Sequence, residues 1–580
     1  MLIMDNAYYA SILAEVSSLL QIKGANKYKI RAYDNASNAM RGLLEPVTHY
    51  IEQDTVTSID GVGKSIAEDI VAISKTGTCP TRTELLDELD PGLLDLLKIQ
   101  GLGPKRLKTL YDTLGISNLD KLKEAARNEE IQALKGFGKK TEQSLLEEAE
   151  RLELDAGRTP LPAALKLATS FRDTLAKRDD VLKIEIAGSI RRQKETIGDI
   201  DLLVASTSDP KPIMDAFIKL PGVSQVLVNG DKKTSVRTVQ DIQVDLRIIA
   251  PELFGSALHY FTGSKEHHVK LRTLAKKKGL KISEYGVFKV DDDTTPIASL
   301  TEEDLYTALD LPFIPPELRR GHDEITQAQA NALPDLISSR DIRGDLHMHT
   351  TESDGEHSIL EMAEAAKALG YSYIALTDHS QVLTVANGMN ARRFAAHIEA
   401  IREANDQIED FTILSGIEVD ILKDGSLDMD HDLLRECDWV VGSVHIHQKL
   451  DKAAMTDRLL AAIETGLISC LGHPTGRILG GRGGYEYDME KVFLACAKHQ
   501  VAVEINGSTG RLDFNADHAA IARAAGLKIT LGSDAHSTHG LSVMPFALGQ
   551  ARRAGLTKDD VLNCLDAKAL LDAVRPSVQA

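Results

Sequence analysis

Three aspartates in the middle of the chain have the spacing of a metal-dependent site for phosphoryl transfer. Asp199 and Asp201 stand two residues apart in the run IGDIDLLV, and Asp245 lies in a second apolar run, IQVDLRII. Since side chains of a β-strand alternate between its two faces, residues two apart point the same way. Carboxylate oxygens suit hard divalent cations, and two cations can stabilise the attacking and leaving oxygens of a phosphoryl transfer. The pattern predicts such a site, although Asp-Ile-Asp alone is more typical of an exposed turn.

A turn just upstream favours the catalytic interpretation. In the stretch IEIAGSIRRQKETIGDID, Gly188 and Ser189 follow an apolar run. Arg191 and Arg192 come shortly after them in the sequence. The turn, the two arginines and the third acidic strand together make a plain exposed turn the weaker explanation.

The C-terminal part of the chain carries a second set of candidate ligands. Of the 18 histidines, 13 follow residue 341. Seven apolar runs follow one another, and helical stretches lie between several of them: IRGDLHMH, YIALTDH, TILSGIEVD, VVGSVHIH, ISCLGHP, VAVEINGS and KITLGSDAH. Six of the seven have His, Asp or Glu as their last or next-to-last residue. Such alternation indicates parallel strands, and seven short strands suit a barrel whose site lies at the strand ends. Imidazole and carboxylate ligands together suit zinc, manganese or iron.

A glycine pattern recurs three times near the N-terminus. Each copy holds an apolar residue between two glycines, followed by a basic helix: SIDGVGKSIAEDIVAI, KIQGLGPKRLKTLYDTL and ALKGFGKKTEQSLLEEA. The glycines let a backbone approach closely, and N–H groups at a helix start can hold a phosphate. The candidate DNA contacts are Gly61, Gly63, Lys64, Gly101, Gly103, Lys105, Arg106, Gly136, Gly138 and Lys139. Three copies with basic residues predict binding to the DNA backbone without sequence reading.

Composition bounds the possible classes of protein. A chain of 580 residues implies several domains, and its net charge of −19 excludes a surface that is basic throughout. The five cysteines form no CxxC pair, so neither a disulfide framework nor a cysteine zinc site is expected. There is no signal-peptide pattern and no apolar run of about 18 residues, so we expect no membrane span and a cytoplasmic, nucleoid-associated protein.

Residues 1–318 resemble family X DNA polymerases, the polymerase beta-like nucleotidyltransferases, and the three glycine patterns resemble helix-hairpin-helix motifs. The resemblance implies that Gly188, Ser189 and Arg192 bind the triphosphate of the incoming nucleotide. It makes Asp199, Asp201 and Asp245 the catalytic ligands of Mg²⁺ or Mn²⁺. Further nucleotide and template contacts would be Tyr260, Phe261, Gly263, His268 and Arg272.

Several positions depart from the family pattern. His268 stands where an asparagine is usual, and Gln243 replaces an arginine near the third carboxylate. In GVGKSIAEDI, Ser65 and Asp69 occupy the two lysine positions of members with deoxyribose-phosphate lyase activity. Since an aspartate cannot form an imine, we expect no lyase activity by the usual route.

Residues from 342 to about 575 resemble a PHP (polymerase and histidinol phosphatase) domain. The resemblance implies up to three ions of Mn²⁺ or Zn²⁺. The first would bind His347, His349, Glu418 and Asp534; the second Glu418, His445 and His473; the third Asp354, His379 and His536. Arg511 is a weaker candidate for a phosphate clamp.

The expected architecture is a multidomain α and α/β protein with a helix-hairpin-helix region, a palm with a mixed sheet and a seven-stranded (β/α) PHP barrel. The expected boundaries are a helical N-terminal DNA-binding domain at residues 1–85, a helix-hairpin-helix subdomain at 86–155, a nucleotidyltransferase palm at 156–250, a nucleotide-selecting subdomain at 251–318, a linker at 319–340 and the PHP domain at 341–580.

The expected function combines two enzymes: a gap-filling DNA polymerase and a metal-dependent 3′–5′ exonuclease or 3′-end phosphoesterase. Gapped or primer-template DNA and deoxynucleoside triphosphates would be its partners, and we expect a monomer. Two alternatives stay open. The barrel could be a pyrophosphatase or small-molecule phosphatase, or the front half could be a DNA-binding module that delivers ends to a nuclease.

Overall fold

The computed structural model describes residues 6–41, 43, 46–99, 102–155, 157–292 and 294–574. The chain forms two compact units. The first consists of residues 1–159, 209–247 and 480–482, and the second of residues 160–208, 248–479 and 483–580. Among the described residues, no helix is both long enough and apolar enough to cross a bilayer.

The N-terminal part of the first unit is helical. Its helices are α1 Asn6–Lys23, α2 Lys27–Arg41, α3 Val47–Glu52, α4 Lys64–Thr76, α5 Pro80–Glu88, α6 Leu93–Leu97, α7 Pro104–Leu114, α8 Leu119–Arg127 and α9 Lys139–Asp155. Helices α1 to α5 share one apolar core and α6 to α9 a second, which also takes in Ile22 of α1. Pro80 and Pro104 each occupy a first helical position, where proline loses no hydrogen bond.

The next part of the chain belongs partly to the second unit (residues 160–208) and partly to the first (residues 209–247). The elements are β1 Thr159–Pro160, α10 Leu161–Leu175, β2 Lys183–Ile186, α11 Gly188–Arg191, β3 Thr196–Ile197, β4 Asp199–Ala205, α12 Pro210–Phe217, β5 Val223–Asn229, β6 Lys233–Thr238 and β7 Gln243–Ile249. In the second unit β2 runs antiparallel to β4, with Ile186 opposite Leu202. In the first unit β5, β6 and β7 form an antiparallel meander, with Ser235 opposite Asp245.

A smaller helical and β region of the second unit follows. It contains α13 Phe254–Thr262, α14 Lys265–Lys277, β8 Leu280–Ser283, β9 Gly286–Lys289, α15 Glu302–Thr307 and α16 Glu324–Gln329. Part of the expected linker at residues 319–340 belongs to this region instead. Ile325 and Ala328 of α16 are buried in the same apolar core as Leu271 and Leu305, and Arg319 is fully buried. The apolar positions of this short helix cover the core, so this part of the stretch is not a free connection.

The barrel domain, residues 344–574, completes the second unit. Its strands are β10 Gly344–Asp345, β11 Tyr373–Leu376, β12 Thr412–Asp420, β13 Trp439–Ser443, β14 Cys470–Leu471, β15 Ala502–Asn506 and β16 Ile529–Gly532. Its helices are α17 Ile359–Ala368, α18 Ala391–Asn405, α19 His431–Glu436, α20 Lys452–Glu464, α21 Met489–His499, α22 Ala516–Ala524, α23 Met544–Arg553 and α24 Ala567–Val574.

The seven strands pair in parallel in chain order, and a further parallel bridge between Met348 and Ala535 closes the circle. The prediction of a seven-stranded barrel is therefore confirmed, although β10 and β14 have only two residues each. After β14 the chain leaves the extended conformation, because His473 adopts a positive φ of 27°. The residues that follow the short strands are those with candidate ligand side chains.

Candidate active sites

The turn at residues 188–195, here called the GS turn, joins β2 to the strand with the first two carboxylates. Gly188 has a positive φ of 62°, and a Cβ at this position would collide with the Asp201 carboxylate. Only glycine allows this backbone conformation together with so close an approach. Asp199 and Asp201 open β4 and lie on one face of it, as the alternation of strand side chains requires.

Asp245 lies in β7 and is 4% exposed. Lys233 on the neighbouring strand β6 binds its Oδ2 at 2.5 Å, and the Gln243 amide donates to its Oδ1 at 2.9 Å. Gln243, which stands where the family has an arginine, thus contacts the carboxylate directly. A cation bound at this carboxylate would compete with the Lys233 ammonium for the same oxygen.

Two arginines of the GS turn donate hydrogen bonds to Thr262, the last residue of α13, just before α14 begins. Arg191 donates to Thr262 Oγ1 at 2.8 Å and pairs with Glu302, and Glu302 also binds the fully buried Arg319 at 2.6 Å. Arg192 donates to the carbonyl oxygen of Thr262. Burial lowers the pKa of Arg192, while Asp201 opposes the shift. The GS turn is therefore anchored to the segment expected to contact the nucleotide sugar.

The aromatic side chains at the end of α13 and in α14 pack against one another. The His268 ring stacks on Tyr260 with centroids 5.6 Å apart, and its Nε2 lies 3.0 Å from the Tyr260 carbonyl oxygen. Burial and then His267 lower the pKa of His268 to about 4, so the ring is neutral at pH 7. The exposed Arg272 guanidinium lies 5.6 Å from the Tyr260 ring centroid. Phe261 makes an edge contact with Tyr260 at 5.1 Å.

The glycine hairpins end at helix starts. Helix α4 begins directly after Gly63, α7 after Gly103 and α9 after Gly138. Among the residues that the structure describes, no side chain caps the first turn of α4 or α7, and a Cβ on any of these glycines would meet nothing within 4 Å. Since the first N–H groups of a helix have no partner within it, such open helix starts suit a phosphate.

The basic residues of the hairpins divide into two kinds. Lys64, Lys105 and Lys139 are exposed. Arg106 instead donates to the Gly136 carbonyl at 2.7 Å and lies 5.1 Å from the Phe137 ring centroid, so it joins the second hairpin to the third. Gly61 and Gly136 have positive φ values of 79° and 91°. Gly101 lies outside the described residues.

Asp69 of the first hairpin stands at one of the two positions where lyase-active members have a lysine, and its side chain is buried and hydrogen-bonded within the fold. It is 4% exposed and accepts a hydrogen bond of 2.7 Å from the Tyr33 hydroxyl. Ser65 is exposed.

Glu418, at the end of β12, is the centre of the histidine cluster of the barrel domain. Its Oε1 lies 3.5 Å from Nε2 of His347, 3.4 Å from Nε2 of His445 and 2.9 Å from Nε2 of His473, and its Oε2 lies 2.8 Å from Nδ1 of His379. Glu418 and three of these histidines are nearly inaccessible to solvent, which excludes an ordinary surface role.

Potential ligand atoms converge within 4.8 Å in three overlapping sets: His347, His349 and Asp534; His379, Glu418 and His445; and His349, Asp354, His379 and His536. Unlike the expected partition, the first set lacks Glu418 and the third includes His349. His379 rather than His473 completes the second set.

The charges of the cluster favour cations. Burial disfavours protonation of His445, but Glu418 and Asp420 outweigh it and raise its pKa to about 10. Likewise Asp354 outweighs burial at His536 and raises its pKa to about 9. Carboxylates that raise the pKa of these histidines so far suit a divalent ion, whose charge would replace the protons.

Two histidines of the cluster also contact a carboxylate through Nδ1. Nδ1 of His347 lies 2.7 Å from Oε1 of Glu504, and Nδ1 of His445 lies 3.0 Å from Oδ2 of Asp420. The buried Nε2 of His347 has no hydrogen-bond partner within the described chain. Metal-binding histidines commonly bind a carboxylate through the other ring nitrogen.

These supporting acids were not predicted from the sequence. Glu504 also accepts from the backbone N–H of His473 at 2.6 Å, and Asn506 donates to Glu504 and Asp534 at 3.2 Å each. The signal was an acidic residue inside or at the end of an apolar run, as in VAVEINGS and TILSGIEVD.

Arg511 follows the sixth strand of the barrel. Its Nε lies 3.7 Å from Oδ2 of Asp534, and its buried Nη1 has no partner among the described residues. Arg477 donates to the carbonyl oxygens of Arg511 and Leu512 and also pairs with Glu195 of the GS turn. Arg511 is thus placed for an anion beside the candidate metal ligand Asp534, and Arg477 bridges this loop to the GS turn.

Four family models match parts of the chain. A helix-hairpin-helix domain matches residues 4–79, a SAM-like helix-hairpin-helix tandem residues 93–151, a DNA polymerase beta thumb residues 257–320 and a PHP domain residues 345–508.

Among curated proteins, the DNA polymerase/3′-5′ exonuclease PolX of Bacillus subtilis (strain 168) is 36% identical over 560 residues, covering 96% of this chain and 97% of that protein. A probable phosphatase of Vibrio atlanticus is 32% identical over 224 residues, covering 36% of this chain and 86% of that protein. A probable phosphatase of Photobacterium profundum is 33% identical over 202 residues, covering 33% of this chain and 77% of that protein. The likeness to PolX extends over nearly the whole of both chains.

Proposed function

Because this chain belongs to the PolX family of DNA polymerases with a PHP domain, we propose that it fills gaps in DNA and trims 3′ ends with separate metal sites. The observation that carries the proposal is the near-full-length likeness to PolX in a chain that keeps both sets of candidate ligands. The chain is a DNA polymerase and 3′–5′ exonuclease that acts on DNA and deoxynucleotides.

For synthesis, we assign Asp199, Asp201 and Asp245 as ligands of Mg²⁺ or Mn²⁺. Ions bound there would stabilise the charge that develops on the attacking 3′ oxygen and on the leaving pyrophosphate. Gly188 and Ser189 open α11 and would present backbone N–H groups to the triphosphate, with the Arg192 charge beside them. Lys233 would exchange its hold on Asp245 for solvent when a cation binds, because the ion competes for the same oxygen.

For nucleotide selection, we assign Tyr260, Phe261 and Gly263 to the sugar, His268 to the base and Arg272 to the template. The neutral His268 ring directs Nε2 at a carbonyl, so Nε2 carries the proton and Nδ1 is the acceptor. An acceptor at this place differs from the amide donor of the usual asparagine.

For trimming, we assign the Glu418-centred cluster as the site of up to three Mn²⁺ or Zn²⁺ ions. Such ions supply Lewis acidity at the phosphodiester and activate a water molecule. Glu504 and Asp420 hold the His347 and His445 rings in orientation, and Arg511 would clamp a phosphate oxygen. The open helix starts of the hairpins would hold the duplex through its phosphates.

The test uses a 5′-labelled primer next to a one-nucleotide gap. With Mg²⁺ and the complementary nucleotide, Asp199→Ala should lose extension by at least about 10³-fold, the scale of a catalytic metal ligand. With Mn²⁺ and no nucleotide, the same variant should shorten the primer at the wild-type rate.

His347→Ala is the matched control and should show the opposite pattern. Extension by Asp199→Ala at the wild-type rate would refute the polymerase site and favour a DNA-delivery module. Phosphate release from pyrophosphate or from a 3′-phosphate, without primer shortening, would refute the exonuclease and favour a phosphatase.

A further inference from the structure

Helix α23 of the barrel domain contacts the GS turn through two side chains. The Arg553 guanidinium donates from Nη1 to the carbonyl oxygen of Arg192 at 2.5 Å, and the Gln550 amide donates to the carbonyl oxygen of Gln193 at 2.9 Å. The helix backbone lies close as well, since a Cβ on Gly549 would meet Oε1 of Gln193 at 2.5 Å. Two successive carbonyls of the GS turn are therefore fixed by the barrel domain.

Arg192 is bound at two points, through its side chain and through its backbone carbonyl. Its guanidinium binds the Thr262 carbonyl at the end of α13, whereas its backbone is bound by Arg553. Gln193 has a positive φ of 54°, which is uncommon for a residue other than glycine. Such a conformation persists when surrounding contacts enforce it, and the Gln550 bond is one of them.

Arg553 also brings charge into the GS turn. Burial, followed by the neighbouring Arg320 and Arg192, lowers the pKa of Arg553 to about 10. Its buried Nε has no hydrogen-bond partner in the described part of the chain. Glu195 and Asp517 oppose this pKa shift without cancelling it, and a further anion nearby would offset more of the repulsion between Arg553 and Arg192. Here the pair lies beside the turn that we assign to the nucleotide triphosphate.

We propose that Arg553 and Gln550 of the barrel domain are positioning residues for nucleotide binding by the polymerase. They fix the Arg192–Gln193 backbone so that the Arg192 guanidinium meets the triphosphate, and Arg553 adds positive potential there. This inference rests on the proposed function of the GS turn. It means that the polymerase nucleotide site is completed by a helix of the exonuclease domain.

The test is steady-state incorporation into a one-nucleotide gap by the full-length protein with Mg²⁺. Arg553→Ala should raise the nucleotide KM about tenfold, as expected for loss of one charge-assisted contact, with kcat changed less than about threefold. Gln550→Ala should raise KM by a smaller factor, about threefold. Arg553→Lys should restore most of the affinity, since lysine keeps the charge and a donor.

Arg552→Ala is the matched control. Arg552 lies on the same helix but binds Glu317 at 2.7 Å and the Ile337 carbonyl at 2.7 Å, away from the GS turn. Its removal should leave the nucleotide KM unchanged. Primer shortening with Mn²⁺ should stay at the wild-type rate in every variant, which reports an intact barrel domain.

An unchanged nucleotide KM in Arg553→Ala with normal exonuclease activity would overturn the proposal. If Arg553→Ala loses both activities through misfolding, Gln550→Ala decides: a raised KM supports the proposal and an unchanged one overturns it. Equal loss in Arg552→Ala would also overturn it, because the effect would then come from general loosening of α23. Failure of the wild-type protein to incorporate any nucleotide would refute the proposed function itself and is thus distinguishable.

Discussion

Gly188 combines a left-handed backbone with direct contact to a proposed metal ligand. Its φ of 62° is strained for any other residue, and a methyl group would push the Asp201 carboxylate aside. We expect Gly188→Ala to lower kcat/KM for incorporation by about 100-fold, the usual cost of misplacing a reacting group by about 1 Å. Gapped-DNA extension with Mg²⁺ measures this.

Gly526→Ala is the control for backbone strain alone, because Gly526 has a φ of 80° and a Cβ there would meet no atom within 4 Å. It should destabilise the fold slightly, by about 1 kcal/mol, and leave incorporation intact. Wild-type extension by Gly188→Ala would contradict the assigned contact with Asp201.

Glu504 contacts two residues of the candidate metal-binding cluster at once. It binds the His347 ring through one oxygen and the His473 backbone through the other. Glu504→Gln removes its charge and should weaken Mn²⁺ binding by about 10- to 100-fold, as is usual for residues that hold metal ligands. Mn²⁺ titration of primer shortening measures the change.

Glu490→Gln, an exposed acid in the first turn of α21, is the control and should leave the Mn²⁺ dependence unaltered. An equal effect of both substitutions would show that net charge, rather than ligand orientation, controls Mn²⁺ affinity.

Much of the site was predictable at the level of single residues, because its chemistry depends on residue type. His347, Glu418 and Asp534 are residue types that are unusual at strand ends, so the sequence alone indicates them. The sequence does not indicate the roles of Glu504 and Asp420, because an acid in an apolar run gives the same pattern whether it binds a metal, a histidine or solvent. Only the register of the closed barrel places Glu504 against His347.

At the scale of elements, the hairpins make opposite use of neighbouring basic residues. Lys105 is exposed at the start of α7, whereas Arg106 ties that helix to the third hairpin. We expect Lys105→Ala to weaken duplex binding and to reduce the slope of log K against log salt by about 0.9, the value for one phosphate contact. Fluorescence anisotropy over a salt series measures both quantities.

Arg106→Ala serves as the contrasting variant. It should lower the thermal stability of the hairpin region because Gly136 and Phe137 lose their partner. Equal salt slopes for wild type and Lys105→Ala would exclude a phosphate contact by Lys105.

Secondary structure followed from the sequence where periodicity was long and failed where tertiary context decides. Strand β12 has nine residues, long enough for its apolar residues to indicate a strand in the sequence TILSGIEVD. Strand β14 pairs over only two residues, which no periodicity defines. The stretch at residues 319–340 looked like a polar linker because α16 has just six residues and buries only one face.

At the scale of the whole molecule, the sequence predicted two enzymes in one chain but not their physical connection. Two of the residues that join them, Gln550 and Arg553, have no catalytic type or spacing, and their partners are backbone carbonyls that no side-chain pattern reveals. Contacts of this kind depend on how distant segments pack together, which local sequence patterns do not predict.

The Arg477 bridge has a thermodynamic consequence. One guanidinium binds both Glu195 of the GS turn and the loop whose Arg511 faces Asp534. If nucleotide binding shifts this arginine, the affinity of the barrel domain for Mn²⁺ must change, and Mn²⁺ must change nucleotide affinity by the same factor. We expect a factor of at least about five, the lower end of measured couplings.

Paired titrations on gapped DNA in saturating Mg²⁺, of Mn²⁺ with and without a non-hydrolysable nucleotide and the converse, would measure the factor from both sides. In Arg477→Ala the factor should fall to about one; a factor of one in the wild type would show that the bridge is passive. Synthesis and degradation of the same 3′ end would then share a single free-energy term, so that occupancy of one site reports on the state of the other.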